Sequence, residues 1–165
     1  MTEIQQTYGR AQIIVHWLTL LVLPASYLSG EAMDTAWRVI LRGHGAFFTP
    51  GIGVRVHVFA GLTVLALTLL RLWLRLRHGA PPPVVGQHPL VTIASASGQG
   101  LMYLLLLALP ITGLATWYGG AAALAPVHVA LFFVTLVLIV AHILGAVFRH
   151  LVIGDGSLAR MGWWR

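Results

Sequence analysis

The sequence predicts an all-α membrane protein, a transmembrane four-helix bundle. Of the 165 residues, 58% are hydrophobic and only 8% are charged, and the mean hydropathy is +0.86. This composition excludes an ordinary soluble domain. Four apolar stretches are each long enough to cross a hydrocarbon core about 30 Å thick. They cover residues 11–28, 54–76, 97–118 and 127–151 of a single membrane domain, residues 1–165.

The first stretch, residues 11–28, is interpreted as a membrane helix rather than a cleaved signal peptide. It is long, it contains His16, and a single arginine precedes it. A Gly-rich loop, RGHGAFFTPGIG at 42–53, is expected before the second stretch. The third follows HGAPPPVVGQHP at 78–89, a Pro-rich connection that cannot be helical throughout. The fourth follows a short loop without charge. Short and medium connections of this kind favour a bundle of four neighbouring helices.

The charged residues predict the topology of the chain. All ten basic residues are arginine, four residues are acidic, and the net charge is +6. An even number of spans places both termini on one side of the membrane. Seven arginines are expected on that side, namely Arg10, Arg71, Arg75, Arg77, Arg149, Arg160 and Arg165. Only Arg38, Arg42 and Arg55 are expected on the other side. The positive-inside rule therefore predicts that both termini are cytoplasmic.

The same composition limits the classes of partner and cofactor. The arginine excess is better explained by topology and by anionic membrane lipid than by nucleic acid, because no nucleic-acid recognition module is present. Cysteine is absent, which excludes disulfides, iron–sulfur clusters and zinc–thiolate sites. Short external loops without a further domain indicate no obligate protein partner.

Four of the eight histidines lie within the apolar stretches. The other four, in loops or at the edges of the spans, are interpreted as solvated surface residues: His44, His78, His88 and His150. An ionisable side chain is costly inside a membrane and is usually functional there. His128 and His142 are separated by fourteen residues. This interval rises roughly 21 Å and makes close to four helical turns, so both rings lie on nearly the same helix face.

Their depths sort these four histidines into two pairs. His16 lies six residues after Arg10, and His142 lies seven residues before Arg149, so both enter from the same membrane face. His57 lies two residues after Arg55, and His128 lies two after Pro126, both near the opposite face. The predicted pairs are therefore His16 with His142 and His57 with His128. The fourth helix supplies one member of each.

Two imidazoles that face each other from different helices suit the two axial positions of haem iron. The sequence therefore predicts a haem at each of the two pairs. Gly61 and Gly145 lie on the faces of nearby ligands and would leave room for the flat groups. Haem propionates need cations as partners. Four arginines lie near the ends of the spans where these partners are needed: Arg10, Arg55, Arg71 and Arg149.

The histidines within the spans are also compatible with several roles that need no haem. A single histidine in a membrane helix is often a polar contact between helices. A zinc or copper site would gather three or four ligands at one depth, often with a carboxylate or sulfur. A proton relay would prefer Asp or Glu, and the four spans contain no acid. A His-lined transporter and a purely structural bundle are further alternatives.

Four segments carry a resemblance to a known family. They are YGRAQIIVHWLTLLVL, VRVHVFAGLTVLALTLLRLWLRLRHGAPPP, LMYLLLLALPITGLATWY and PVHVALFFVTLVLIVAHILGAVFRH. Together they cover most of the chain, and the two-histidine fourth helix combined with the HW of the first is fairly specific. The sequence resembles the bacterial cytochrome b561 proteins, most closely their small stand-alone members of the superoxide oxidase type.

This resemblance implies a fold, ligands and a reaction. The fold is a four-helix bundle in the bacterial inner membrane, with two b haems. The ligands map onto His16 and His142 for the cytoplasmic-side haem and onto His57 and His128 for the periplasmic-side haem. The implied activity is that of a superoxide:quinone oxidoreductase, which oxidises superoxide to O₂ on the periplasmic side and reduces ubiquinone. Gln99 and Ala96 stand where relatives often carry histidine, which puts any quinone or proton role of those histidines in doubt here.

The positions of several residues along the chain make them candidates for binding the substrates. Arg38, Arg42 and His44 in the external loop, with Arg55 nearby, would attract a small anion such as superoxide. The alternative is that these residues hold propionates and lipid phosphates. The candidate residues for a quinone site are Trp17, Ser97, Gln99 and Tyr103. A further alternative is a b-type cytochrome subunit that passes electrons between a dehydrogenase or hydrogenase partner and the quinone pool.

Overall fold

The computed structural model describes residues 7–44, 49–84, 86–156 and 158–162, and within these ranges all regular structure is helical. The five main helices are α1 (Arg10–Leu28), α2 (Gly30–Val39), α3 (Ile52–His78), α4 (Pro89–Trp117) and α5 (Ala125–Phe148). All except α2 belong to segments long and apolar enough to cross a membrane. The predicted fold class, an all-α transmembrane four-helix bundle, is therefore confirmed.

Gly9 caps the start of helix α1, and its backbone N–H donates to Gln12 Oε1 at 3.0 Å. This bond satisfies one of the backbone donors that a helix start leaves without a partner. The buried Gln12 side chain also donates from Nε2 to the carbonyl oxygen of Gly79 at 3.0 Å. Gly79 directly follows α3, so the first turn of α1 is joined to the last turn of α3. The two helices therefore run antiparallel.

The chain between the first two spans contains a helix that the apolar pattern did not predict. Helix α2 is amphipathic and lacks the long apolar run that marked the spans. It continues as a wide turn over Ile40–His44, in which Gly43 adopts a φ of 85°. The start of α3 packs closely against α2, because a Cβ placed on Gly53 would lie 2.6 Å from the Ala32 Cβ. Residues 45–48 of the predicted loop lie outside the described residues.

Helix α4 begins at Pro89 rather than near residue 97. His88 caps it by accepting a hydrogen bond from the Leu90 backbone N–H at 3.3 Å. Proline suits the first helical position because it has no N–H that needs a partner there. The connection between α3 and α4 therefore covers nearly the predicted Pro-rich segment, whereas the helix begins well before the apolar stretch. Pro110 is buried inside α4.

The helices pack as two antiparallel pairs. Helix α1 lies along α3, α4 lies along α5, and α3 also contacts α4. Helix α5 approaches α1 and α3 much less closely than it approaches α4. We call the end of the bundle where α1 begins and α5 ends the terminal end, and the opposite end the loop end.

Buried threonines lie between the two ends of the bundle. Thr19, Thr68 and Thr135 are each 3% exposed or less. Each hydroxyl donates to the carbonyl oxygen four residues earlier, at 2.7 Å. These bonds satisfy the hydroxyls within their own helices, so the threonines act as small packing residues in the bundle interior.

Candidate functional site

The four histidines of the spans form two facing pairs, each between α5 and one of the helices α1 and α3. His16 of α1 faces His142 of α5, with ring centroids 6.4 Å apart and the rings inclined at 61°. His57 of α3 faces His128 of α5, with centroids 6.2 Å apart and an inclination of 73°. The first pair lies toward the terminal end and the second at the loop end. The structure thus brings together the partners that depth predicted, and α5 supplies one member of each pair.

Backbone carbonyl groups orient both rings of the loop-end pair. His57 Nδ1 lies 2.9 Å from the carbonyl oxygen of Ser26, in the last turn of α1. His128 Nδ1 lies 2.8 Å from the carbonyl oxygen of Leu109 in α4. Because a carbonyl oxygen only accepts, each Nδ1 must carry the proton and donate it. Each Nε2 is then the unprotonated nitrogen, which is the form that binds a metal.

Three further residues shape the loop-end pair. The Ser29 hydroxyl lies 3.5 Å from His57 Nδ1, and the Thr112 hydroxyl lies 3.3 Å from His128 Nδ1. A Cβ added to Gly113 would lie 2.9 Å from His128 Cε1, so only glycine lets the ring lie this close to α4. Sequence reasoning missed all three. The only signal for Gly113 was an unexplained glycine in PITGLATW, and the orienting carbonyl groups leave no signal at all.

The terminal-end pair has different surroundings. His16 Nδ1 is buried without a hydrogen-bond partner among the described residues. Such a nitrogen is costly to bury unless another group binds it. The Trp17 indole packs edge-on against the His16 ring at 5.5 Å between centroids. Trp17 Nε1 donates to the carbonyl oxygen of Met161 at 3.0 Å, so the C-terminal segment is joined to α1 beside this pair.

A cluster of polar side chains lies beside the terminal-end pair, and we call it the arginine–tyrosine cluster: Arg71, Arg75, Gln99 and Tyr103. The Arg71 and Arg75 guanidinium carbons lie 5.6 and 6.0 Å from the centroid of the Tyr103 ring. Arg75 Nη1 donates to Gln99 Oε1 at 2.9 Å. The hydrogen bonds of Gln12 to Leu74 and of His57 to Ser26 fix how α1 lies along α3, and they place Arg71 level with His16. This cluster contains Gln99 and Tyr103, two of the four residues predicted for a quinone site.

The other two predicted propionate arginines at the terminal end differ in their partners. Arg10 is exposed and lines a cavity of about 150 Å³ between the start of α1 and the end of α3. Arg149 is bound on several sides. Its Nε donates to Asp155 Oδ2 at 2.6 Å, and its Nη1 donates to Ser95 Oγ at 2.9 Å. The Asp155 carboxylate offsets the charge of Arg149, which makes Arg149 the less suitable cation for a propionate.

The predicted loop-end cations also differ from one another. Arg38 forms an ion pair with Asp34 one turn earlier in α2, and both side chains are exposed. Arg42 is exposed. Arg55 Nε donates to the carbonyl oxygen of Pro50 at 3.1 Å. The side chain of His44 lies outside the described part of the chain. Arg42 is thus a more available positive charge at this end than Arg38.

Two predicted glycines face open space. A Cβ placed on Gly61 or Gly145 would meet no atom within 4 Å outside its own helix backbone. Both glycines lie one helical turn from a paired histidine. They leave open space one turn from each pair, as a flat group beside the imidazoles would need. By contrast, His78, His88 and His150 lie outside both pairs, at the ends of the helices.

Comparison with known proteins identifies the class. The family model described as prokaryotic cytochrome b561 matches residues 7–164. The chain therefore belongs to this family of bacterial membrane electron-transfer proteins, and a cytochrome b contains haem b.

Three relatives are similar over nearly their whole length. The chain is 36% identical to a protein named cytochrome b562 from Cereibacter sphaeroides, over 93% of this chain and 94% of the relative. It is 27% identical to a probable superoxide oxidase, CybB, from Yersinia pestis, with 93% and 94% coverage. It is 28% identical to cytochrome b561 homolog 1 from Escherichia coli, with 93% and 96% coverage.

The two histidine pairs fit haem b better than they fit a clustered metal ion. Imidazoles that bind one metal from opposite sides through bonds of about 2 Å have ring centroids about 6 Å apart. The spacings of 6.2 and 6.4 Å agree with this arrangement. Among the described residues there is no group of three or more His, Cys, Asp or Glu that could hold a metal ion. A haem iron needs only two ligands from the protein, because the haem macrocycle supplies its other ligands.

Proposed function

We propose that this protein is a dihaem superoxide:ubiquinone oxidoreductase. His16 and His142 would hold one haem b, and His57 and His128 would hold the other. The main support for this proposal is the arrangement of four histidines as two facing pairs at opposite ends of α5. In each pair the two rings have the spacing that one iron requires. The relative from Yersinia pestis named as a probable superoxide oxidase supports the choice of substrate.

The proposed reaction is balanced in electrons and protons. Two superoxide anions lose one electron each and become two molecules of O₂. Ubiquinone takes up these two electrons and two protons and becomes ubiquinol. A bound b haem with two imidazole ligands supplies one-electron transfer at an iron without an open coordination position. The chain itself holds both imidazoles of each pair in place, and its apolar helices exclude water between the two pairs.

The distribution of charge suits superoxide entry at the loop end. Arg42 is exposed there and Arg55 adds further positive charge, whereas Asp34 offsets the charge of Arg38. Positive residues near a site raise the local concentration of a small anion and its rate of association. We propose that this end faces the periplasm and that both termini are cytoplasmic. The excess of arginines at the terminal end supports this orientation through the positive-inside rule.

The arginine–tyrosine cluster is the proposed quinone site. Guanidinium N–H groups and the Tyr103 hydroxyl are donors that can bind the carbonyl oxygens of a quinone head group. Arg75 and Gln99 already bond each other at 2.9 Å, so the two side chains are held toward the same point. Trp17 is less suitable, because its only donor is engaged by the Met161 carbonyl oxygen. Ser97 is exposed on α4.

Rapid mixing of the purified protein with superoxide, in detergent and with ubiquinone present, tests the proposed function. We expect superoxide to disappear faster than without protein, together with reduction of the haems and formation of ubiquinol. The matched control is His88→Ala, which alters an exposed histidine outside both pairs and should react like the unaltered protein. If the protein contains haem but leaves superoxide decay unchanged, the superoxide reaction is wrong. The protein would then be an electron-transfer subunit that a dehydrogenase or hydrogenase supplies.

A further inference from the structure

The two histidine pairs differ in the groups around them. The groups at the loop end lower the reduction potential of a bound haem, whereas those at the terminal end raise it. At the loop end, both Nδ1–H groups donate to carbonyl oxygens at 2.9 and 2.8 Å. Such bonds make an imidazole a stronger electron donor and stabilise the oxidised metal, which lowers its reduction potential. At the terminal end, His16 Nδ1 has no such partner among the described residues, so this contribution is smaller there.

Arg71 adds a second difference. It is half-buried in α3 and lies level with His16, because the antiparallel packing sets Gln12 beside Leu74 and Ser26 beside His57. A cation close to a redox centre in a low-dielectric interior favours the electron-rich state and raises the reduction potential. Among the described residues, Arg71 forms no ion pair with an acidic side chain. The ring and hydroxyl of Tyr103 contact it and Tyr8 lies nearby, and these neutral phenols leave its charge in place.

The other nearby cations do not cancel this difference. Arg75 lies in the same cluster and adds to the positive charge at the terminal end. Arg149 is offset by Asp155. At the loop end, Arg55 is two residues from His57, and residues two apart on a helix point to different sides. Arg55 is also exposed, so water and salt screen its charge from the loop-end pair.

We propose that Arg71 sets the direction of electron transfer through the protein by raising the reduction potential of the haem held by His16 and His142. This inference rests on the proposed function, because it needs a haem in each pair. The loop-end haem then has the lower potential, and an electron delivered there moves downhill to the terminal end. In this role Arg71 acts on the haem through its charge, separately from any hydrogen bond that it donates to a quinone carbonyl oxygen.

Redox titration of the purified full-length protein, followed by haem absorbance, tests this inference. We expect two components in the unaltered protein. Arg71→Gln should lower the potential of the higher component and leave the lower one in place. Arg71→Lys keeps the charge and should retain the unaltered potentials. A purely structural role through the planar stacking on Tyr103 predicts instead that Arg71→Lys behaves like Arg71→Gln. Arg77→Gln, which removes an exposed cation six residues further along α3, is the matched control and should shift neither component.

A second variant assigns the components even if Arg71→Gln fails to retain haem. His142→Ala removes one member of the terminal-end pair, so the remaining haem should titrate as the lower component. The inference is overturned if the remaining haem titrates as the higher component, or if Arg71→Gln lowers the lower one. It is also overturned if both components have equal potentials. These outcomes concern the potentials alone, whereas a wild-type protein with fewer than two haems would overturn the proposed function itself.

Discussion

The two histidine pairs are alike in ligand geometry and unlike in what surrounds the ligands. Both use one histidine from α5, and their centroid spacings differ by only 0.2 Å, 6.4 against 6.2 Å. Backbone carbonyl groups orient the loop-end rings, whereas aromatic and arginine side chains surround the terminal-end rings. Helix periodicity therefore fixes where the two imidazole pairs lie, while the neighbouring helices determine which groups surround each pair.

Replacement of one histidine of a pair should have the largest effect, because it should remove the haem at that end alone. We expect His128→Ala to abolish haem binding at the loop end and His142→Ala to abolish it at the terminal end, because a single imidazole no longer fixes the iron from both sides. The measurement is haem per chain by the pyridine haemochrome method. Each variant should fall from two haems to about one. A variant that keeps two haems would show that its histidine is not a ligand.

Gly113→Ala should affect the loop-end pair alone. The added methyl group would lie 2.9 Å from His128 Cε1, so the ring must move and its bond to the Leu109 carbonyl oxygen must weaken. We expect most of the loop-end haem to be lost and the terminal-end haem to remain, measured by haem content and redox titration. Gly100→Ala on the same helix meets no atom within 4 Å and serves as the control. Equal haem content in the two variants would contradict this account of His128.

The loop-end arginines should have graded effects on superoxide entry. Arg42→Gln removes an exposed charge, whereas Arg38→Gln removes one that Asp34 already offsets. One unit charge at roughly 10 Å in water changes an association rate about two-fold at low salt. We expect Arg42→Gln to slow superoxide consumption by this factor and Arg38→Gln to slow it less, in stopped-flow mixing at low ionic strength. Haem content should not change, and added salt should remove the difference. Rates that do not respond to either variant or to salt would exclude electrostatic steering.

Thr68→Val should have the smallest effect, because it changes the region between the two pairs and neither site. Its hydroxyl is 1% exposed and bonds only the Val64 carbonyl oxygen within its own helix. Valine has nearly the same shape, so we expect both potentials to stay in place and stability to change by about 1 kcal/mol or less. Thr63→Val, an exposed position with the same kind of bond, is the control. A shifted potential in Thr68→Val alone would indicate that this hydroxyl interacts with one of the haems.

The four spans could be predicted from the sequence, because the thickness of the bilayer sets the length of an apolar helix that crosses it. The facing pairs could also be predicted, because fourteen residues return α5 to the same face and the flanking arginines report depth. Helix α2 was missed, since ten amphipathic residues in a connection carry no span signal. The bonds from His57 and His128 to Ser26 and Leu109 could not be predicted, because any residue supplies a carbonyl group. Arg71 was expected near a propionate, but its effect on both terminal-end rings depends on how α3 packs.

The number of haems bound per chain tests the central claim most directly. The purified full-length protein would be measured by pyridine haemochrome against protein concentration, with a dithionite-reduced minus oxidised spectrum of the same sample. Two facing imidazole pairs on one bundle predict two b haems per chain, both six-coordinate. One haem would show that only one pair is a site, and a colourless protein would contradict the account as a whole.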